Sequence, residues 1–144
     1  APLPMKYEAG TQNFASAATL KPAIELLNIL NDNNLEEYNN SIKDYLLNIL
    51  INDERIRLYG VPRGTSEEKI PLFSFTVKGI HHEDLALILD KMGIAVRSGQ
   101  MCAEPLMDRF GVTGMLRISL APYNTMQEAE YFVKCLNKAI DMLI

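Results

Sequence analysis

Gly93-Ile94-Ala95-Val96-Arg97-Ser98-Gly99-Gln100-Met101-Cys102-Ala103-Glu104-Pro105-Leu106-Met107 is the most densely polar junction of the chain. Ile94 to Arg97 reads as a strand. Pro105 to Phe110 reads as a short helix ended by Gly111, because proline is tolerated in a first helical turn and glycine closes helices. Residues 97–105 thus join a strand to a helix and put Cys102 in the loop, just ahead of a helix N-terminus. There the helix dipole and nearby Arg97 favour the thiolate, the nucleophilic form of cysteine. A small buried residue is the other reading, since most free cysteines pack as apolar groups.

Outward from this junction the pattern alternates between periods of 3.6 and 2. Upstream, Leu85, Ile88, Leu89 and Met92 mark a helix that stops at Gly93. Before it, Phe73, Phe75 and Val77 alternate with Leu72, Ser74 and Thr76, a strand. Ile56-Arg57-Leu58-Tyr59 is a shorter strand closed by Gly60, and Val61 to Glu68, with Pro62 and Gly64, is a polar loop. Downstream, Leu116, Ile118 and Leu120 share one face of a strand whose other face holds Arg117 and Ser119. Thr125-Met126-Gln127-Glu128 is a capping-box pattern opening a last helix, with Phe132, Val133, Leu136 and Ile140 as its apolar stripe.

The first half begins differently. Residues 1–18 lack a clear period, and Glu8-Ala9-Gly10-Thr11 reads as a loop in which Gly10 permits positive φ. From Thr19, Leu20, Ile24, Leu27 and Leu30 recur at helical spacing, with Pro22 either in the first turn or kinking an earlier start. Asn31-Asp32-Asn33-Asn34 ends that helix. A second starts near Leu35 and carries Tyr38, Ile42, Tyr45, Leu46 and Ile49, so a helical hairpin is expected. Helices and a small sheet in this order predict a two-layer α+β or α/β sandwich.

The bulk properties narrow the function classes. At 144 residues and 16.2 kDa, the chain has room for one compact domain. A hydrophobic share of 48% with 22% charged residues excludes disorder as a whole-chain reading. A net charge of −4 argues against nucleic acid or an anionic membrane as main partner. No apolar run approaches a membrane span. Two cysteines, Cys102 and Cys135, make no disulfide framework, and a reduced, cytoplasmic setting is expected. The chain opens Ala1-Pro2-Leu3-Pro4 instead of with methionine, as an excised or processed piece would.

Arg97 and Arg117 each sit within a strand, opposite its most apolar residues. Two guanidiniums beside one cysteine can hold a carboxylate by paired charged hydrogen bonds; otherwise each is a surface charge with an acidic neighbour. His81-His82 followed by Glu83-Asp84 reads as a helix-start cap. Adjacent residues point apart, and no further histidine exists to complete a metal site. Cys135, inside the last helix beside Leu136, reads as a packing residue.

Three stretches carry a resemblance. The run from Gly93 to Met107 closely resembles the active-site cysteine loop of cysteine desulfurases. Arg117-Ile118-Ser119-Leu120-Ala121-Pro122-Tyr123-Asn124-Thr125 resembles their following arginine strand and helix start, and Tyr7-Glu8-Ala9-Gly10-Thr11-Gln12-Asn13 is similar to their Phe-Glu-Ala-Gly-Thr-Pro-Asn loop. The order is the family's, and the match covers essentially the whole chain. The short loop running directly into Pro-Leu-Met resembles the SufS-like (group II) desulfurases and selenocysteine lyases of aminotransferase class V.

The resemblance implies the C-terminal small domain of a fold-type I enzyme dependent on pyridoxal 5'-phosphate and working as a homodimer. Residues 1–18 would be an active-site loop and linker from a larger domain, and 19–144 the small domain with its cysteine loop at 97–105. Cys102 would take sulfur (or selenium) from L-cysteine (or L-selenocysteine), leaving L-alanine and a persulfide for a sulfur-acceptor protein in iron–sulfur cluster assembly. Arg117 would hold the substrate carboxylate, Arg97 would line the same pocket, and Thr11 would reach the cofactor phosphate of the neighbouring subunit. Gln100 and Met101 stand where histidines are common in relatives, and the loop from Val61 to Lys69 is several residues longer than usual. The family's cofactor lysine follows a histidine, and none of the eight lysines here does. The chain alone is therefore expected to bind no cofactor and to be inactive. The alternatives are a free-standing persulfide carrier or interaction module without cofactor, and a thiol-redox protein using Cys102 alone.

Overall fold

The computed structural model describes residues 1–32, 35–60 and 69–144. The expected loop from Val61 to Glu68 lies outside the described residues. The chain forms two compact units, Ala1–Glu36 and Glu37–Ile144. The first holds a 3₁₀ turn, Met5–Tyr7, and two helices, α1 (Phe14–Ala18) and α2 (Leu20–Asp32). α1 falls in the stretch without sequence period. It is a single short turn, started by Asn13, whose Oδ1 accepts the Ser16 N–H at 3.2 Å.

The second unit holds most of α3 (Leu35–Asn52), then β1 (Ile56–Tyr59), β2 (Leu72–Val77), α4 (His82–Lys91), β3 (Arg97–Gly99), α5 (Glu104–Phe110), β4 (Met115–Ser119) and α6 (Met126–Leu143). The four strands form one antiparallel sheet in the order β1-β2-β4-β3. Strands β2 and β3 both run antiparallel to β4, so α4 joins two strands that are parallel to each other across it. The result is the expected two-layer mix of helices and sheet.

Alternation along β2 decides which face is which. Phe73, Phe75 and Val77 are buried, with Leu116 and Ile118 of β4 beside them. Against this face pack Ile42, Leu46 and Leu50 of α3, Leu85 and Leu89 of α4, and Phe132, Cys135, Leu136, Ala139 and Ile140 of α6. Burial of such a contiguous set, at about 25 cal/mol per Å² of apolar area, is the dominant favourable contribution to this unit. Cys135 is a packing residue, as its helical setting suggested. Among the described residues, no helix is long and apolar enough to cross a membrane.

The expected strand from Ile94 to Arg97 is displaced. Backbone pairing begins at Arg97 and runs to Gly99, while Ile94 and Val96 are partly buried against the core without a strand partner. Their apolar alternation records side-chain burial alone. Gly93, at φ 78°, ends α4 as expected, with the Ile94 N–H reaching back to the Leu89 carbonyl at 3.0 Å.

Two polar devices fix the ends of the sheet. Arg55 grips Asp53 through Nε and Nη2, at 2.9 and 2.7 Å, and reaches Asn137 and Asp141 of α6. The start of β1 is thereby tied to the last turns of the final helix. At the other end, Thr125 and Glu128 form the capping box seen in the sequence. Thr125 Oγ1 accepts the Glu128 N–H at 3.2 Å, and Glu128 accepts the Thr125 N–H at 2.8 Å. Asn124 Nδ2 also donates to Glu128, and its Oδ1 takes the Ala121 N–H at 2.7 Å, closing the turn that follows β4.

Candidate active site

The sheet face away from the main core carries Arg57 and Tyr59 of β1, Leu72, Ser74 and Thr76 of β2, Met115, Arg117 and Ser119 of β4, and Arg97 and Gly99 of β3. Part of this face is covered. Tyr59, Met107 and Met115 are buried together, with Met101, Ala103, Phe110 and Val112 packed around them. The Tyr59 ring lies 5.0 Å from that of Phe110, and its hydroxyl is 3.1 Å from Thr76 Oγ1. Helix α5 supplies Met107 and Phe110 and so covers this part of the face.

The arginines lie on the same face, in the cross-strand row that begins at Tyr59 and passes through Ser74. Arg97 and Arg117 are direct partners across the β3–β4 ladder, and Ser74 faces Arg117 from β2. Side chains so opposed share a face, with Cβ atoms about 4.5–5.5 Å apart. Both arginine positions of the sequence reading are therefore brought to one spot. Arg97 is exposed and Arg117 half-buried. Among the described residues, neither has a carboxylate within ion-pair distance, unlike Arg55. Two like charges facing each other cost stability unless a ligand brings an anion.

Four residues, Gln100 to Ala103, separate β3 from α5. The Ala103 N–H donates to the Gln100 carbonyl at 3.0 Å, closing a turn whose central residues are Met101 at φ 56° and Cys102 at φ 60°. Positive φ at both central positions is the mirror-image turn, normally built from Asn-Gly. In non-glycine residues such backbone costs about 1–3 kcal/mol each. The side chain of Cys102 is exposed at this turn, so apolar packing does not account for it. Sequence reasoning placed the cysteine in the loop and missed the turn, since neither central residue is of the type that favours it.

The histidines stand apart. His81 caps α4, its Nδ1 3.4 Å from the Glu83 N–H, and His82 follows with its ring centroid 4.3 Å away. Burial of His82, and then the neighbouring His81, push its pKa below the ordinary imidazole range, against the opposing pull of Glu83 and Asp84. Among the described residues, no cluster of three or more metal-ligating side chains exists. Thr11 lies in the first unit, exposed, directly after Gly10 at φ 78°.

Comparison with known proteins places the chain among relatives. The chain is 39% identical to a probable cysteine desulfurase of Vibrio cholerae over 141 residues, 98% of this chain and 34% of that protein. It is similar to the crystal structure of the cysteine desulfurase CsdA from Escherichia coli, with a TM-score of 0.79 and 35% identity over 98% of this chain and 34% of that one. It also resembles the apo cysteine desulfurase of Thermococcus onnurineus, with a TM-score of 0.74 and 31% identity over 97% of this chain and 34% of the other. The chain thus spans about a third of the length of these relatives. The family described as aminotransferase class-V matches residues 1–132, most of the chain. An exposed cysteine turn, an arginine pair and the sheet that carries them all fall inside that match: this chain belongs to the aminotransferase class V family.

Proposed function

We propose that this chain is the C-terminal part of a cysteine desulfurase of the SufS-like type, which takes sulfur (or selenium) from L-cysteine (or L-selenocysteine). The observation that carries the reading is the β3–β4 register, which sets Arg97 opposite Arg117 on the strand that leads directly to exposed Cys102, with no acidic partner among the described residues. A substrate with both a carboxylate and a sulfur suits this pair of features. Arg117, half-buried and backed by Ser74, holds the carboxylate, and Arg97 lines the same pocket. The Cys102 thiolate attacks the substrate sulfur. The new S–S bond forms as the substrate Cβ–S bond breaks, and a proton reaches Cβ, so alanine leaves and Cys102 keeps a persulfide.

In this family pyridoxal 5'-phosphate supplies the electron sink for that bond cleavage. On this reading the chain does not complete a site for it alone. The buried lysine, Lys43, is held by Asn40 at 2.9 Å and paired with Asp44. Lys69 is half-buried over the Phe73 ring, and the other six lysines are exposed. The cofactor therefore depends on residues outside this chain, with Thr11 contributing to its phosphate site in a neighbouring subunit of a homodimer. The four-residue loop between β3 and α5 supports the SufS-like assignment. A cytoplasmic setting and a sulfur-acceptor protein complete the proposal, with residues 1–18 as the segment that joins the small domain to the cofactor domain.

The test is mass analysis of the full-length protein after incubation with cysteine. One added sulfur on the Cys102 peptide, absent in Cys102→Ser, is expected. Alanine formation that survives Cys102→Ser would overturn the role of Cys102. A stoichiometric imine band on this chain alone, retained after desalting, would overturn the statement about the cofactor.

A further inference from the structure

We infer that Met101 is the positioning residue of Cys102: its side chain, packed on the Tyr59–Met107–Met115 cluster, holds the mirror-image turn that presents the thiol. The inference rests on the proposed role of Cys102 as nucleophile. It starts from an imbalance in the turn itself. Gln100 to Ala103 adopts a backbone with positive φ at two successive non-glycine residues, so the surrounding structure must impose it. Cys102 cannot do so, because its side chain is exposed, and Gln100 is exposed as well.

The two remaining turn residues are the ones with partners. Met101 and Ala103 both pack against Tyr59, Met107 and Met115. That cluster is itself pinned from three elements. Tyr59 comes from β1 and is tied to Thr76 at 3.1 Å, Met115 begins β4, and Met107 lies in α5, where its carbonyl takes the Val112 N–H at 3.1 Å. Cys102 is therefore carried at the tip of a turn whose flanking side chains are anchored beneath it. An unbranched thioether suits this task, since its flexible side chain can adapt to an irregular surface of one aromatic ring and two other methionines. The sheet underneath also places Gly99 opposite Met115, so the strand entering the turn and the cluster below it share one register.

The inference separates anchoring from backbone preference. Asparagine favours positive φ and would suit the turn better than methionine, but it cannot reach into an apolar cluster. Leucine disfavours the backbone equally and keeps the apolar anchor. If Met101 acts by anchoring, Met101→Leu retains the wild-type turn and Met101→Asn loses it. If the turn needs only local preference, the order reverses.

Two measurements on the full-length protein decide. Amide exchange of Ala103, whose N–H closes the turn, is expected to quicken by roughly tenfold in Met101→Asn and Met101→Ala and to stay near wild type in Met101→Leu. The rate of persulfide formation on Cys102 is expected to fall by about tenfold in the same two variants, with KM for cysteine within about twofold of wild type. The cysteine carboxylate site lies on the strands, so a loosened turn leaves it intact. Wild-type Ala103 protection in Met101→Asn would overturn the inference, as would faster exchange with unchanged persulfide formation. A wild-type protein that forms no persulfide would instead defeat the desulfurase reading, and Ala103 exchange would still decide whether Met101 holds the turn.

Discussion

Replacing Arg117 by glutamine should move fold stability and function in opposite directions. Arg117 faces Arg97 across the ladder, and among the described residues neither has a carboxylate partner. For two guanidinium groups held about 6 Å apart, slightly beyond the Cβ spacing of opposed residues, Coulomb repulsion would be about 0.7 kcal/mol in water. A Debye length of about 8 Å at 0.15 M salt reduces this to about 0.3 kcal/mol. Arg117→Gln is therefore expected to stabilise the second unit slightly at low ionic strength. The gain should vanish near 1 M salt, where the Debye length is about 3 Å. In the full-length enzyme the same change removes charge-assisted hydrogen bonds worth about 1.5–3 kcal/mol, a fall of roughly 10- to 150-fold in kcat/KM for cysteine. Urea unfolding at two salt concentrations measures the first effect, and steady-state kinetics measures the second. Destabilisation beyond about 0.5 kcal/mol, or a stability change independent of salt, would show that Arg117 is structural and refute the argument. Unchanged kcat/KM would refute its role at the carboxylate.

Two further perturbations probe the framework. A Cβ at Gly114 would lie 2.8 Å from Cδ2 and Cε1 of His82, so Gly114→Ala should cost about 1–3 kcal/mol in urea unfolding. His82→Ala in the same chain should recover most of that loss, and a double-mutant cycle without coupling would count against the contact. Asp53 is held below the ordinary carboxylate range by the hydrogen bond from Arg55, so its contribution is complete above about pH 4 and is lost as pH falls through the lowered value. Asp53→Asn should cost about 1 kcal/mol at pH 7, modest because Arg55 stays a third exposed, and the gap to wild type should close under acid. A gap that stays constant down to pH 2 would contradict this assignment.

Much of the framework was legible in the residues themselves. Phe73, Phe75 and Val77 alternate with Leu72, Ser74 and Thr76 over a run bounded by Pro71 and Lys78, and burial on one face follows from strand geometry alone. Thr125 and Glu128 satisfy each other within one turn, a local contact needing no tertiary partner. The cysteine loop was equally readable, because strand, polar run, proline and glycine are local signals. The third strand was misplaced because apolar spacing in Ile94 and Val96 reports burial, while a strand exists only where a neighbour supplies hydrogen bonds.

By itself, the sequence determined the kinds and order of the elements from Leu20 onward, the buried faces of the second unit, and the presence of two arginines and a cysteine near one junction, while Leu20, Ile24 and Leu27 of its first helical stripe are exposed. Tertiary structure alone decided that Arg97 and Arg117 are direct neighbours, since a shift of one residue in the β3–β4 pairing would put them on opposite faces. It alone decided the backbone at Met101 and Cys102 as well. Their own preference is against positive φ, and the contacts that outweigh it come from β1, β4 and α5. Register and strain are set by groups distant in the chain, and a local pattern carries no record of them.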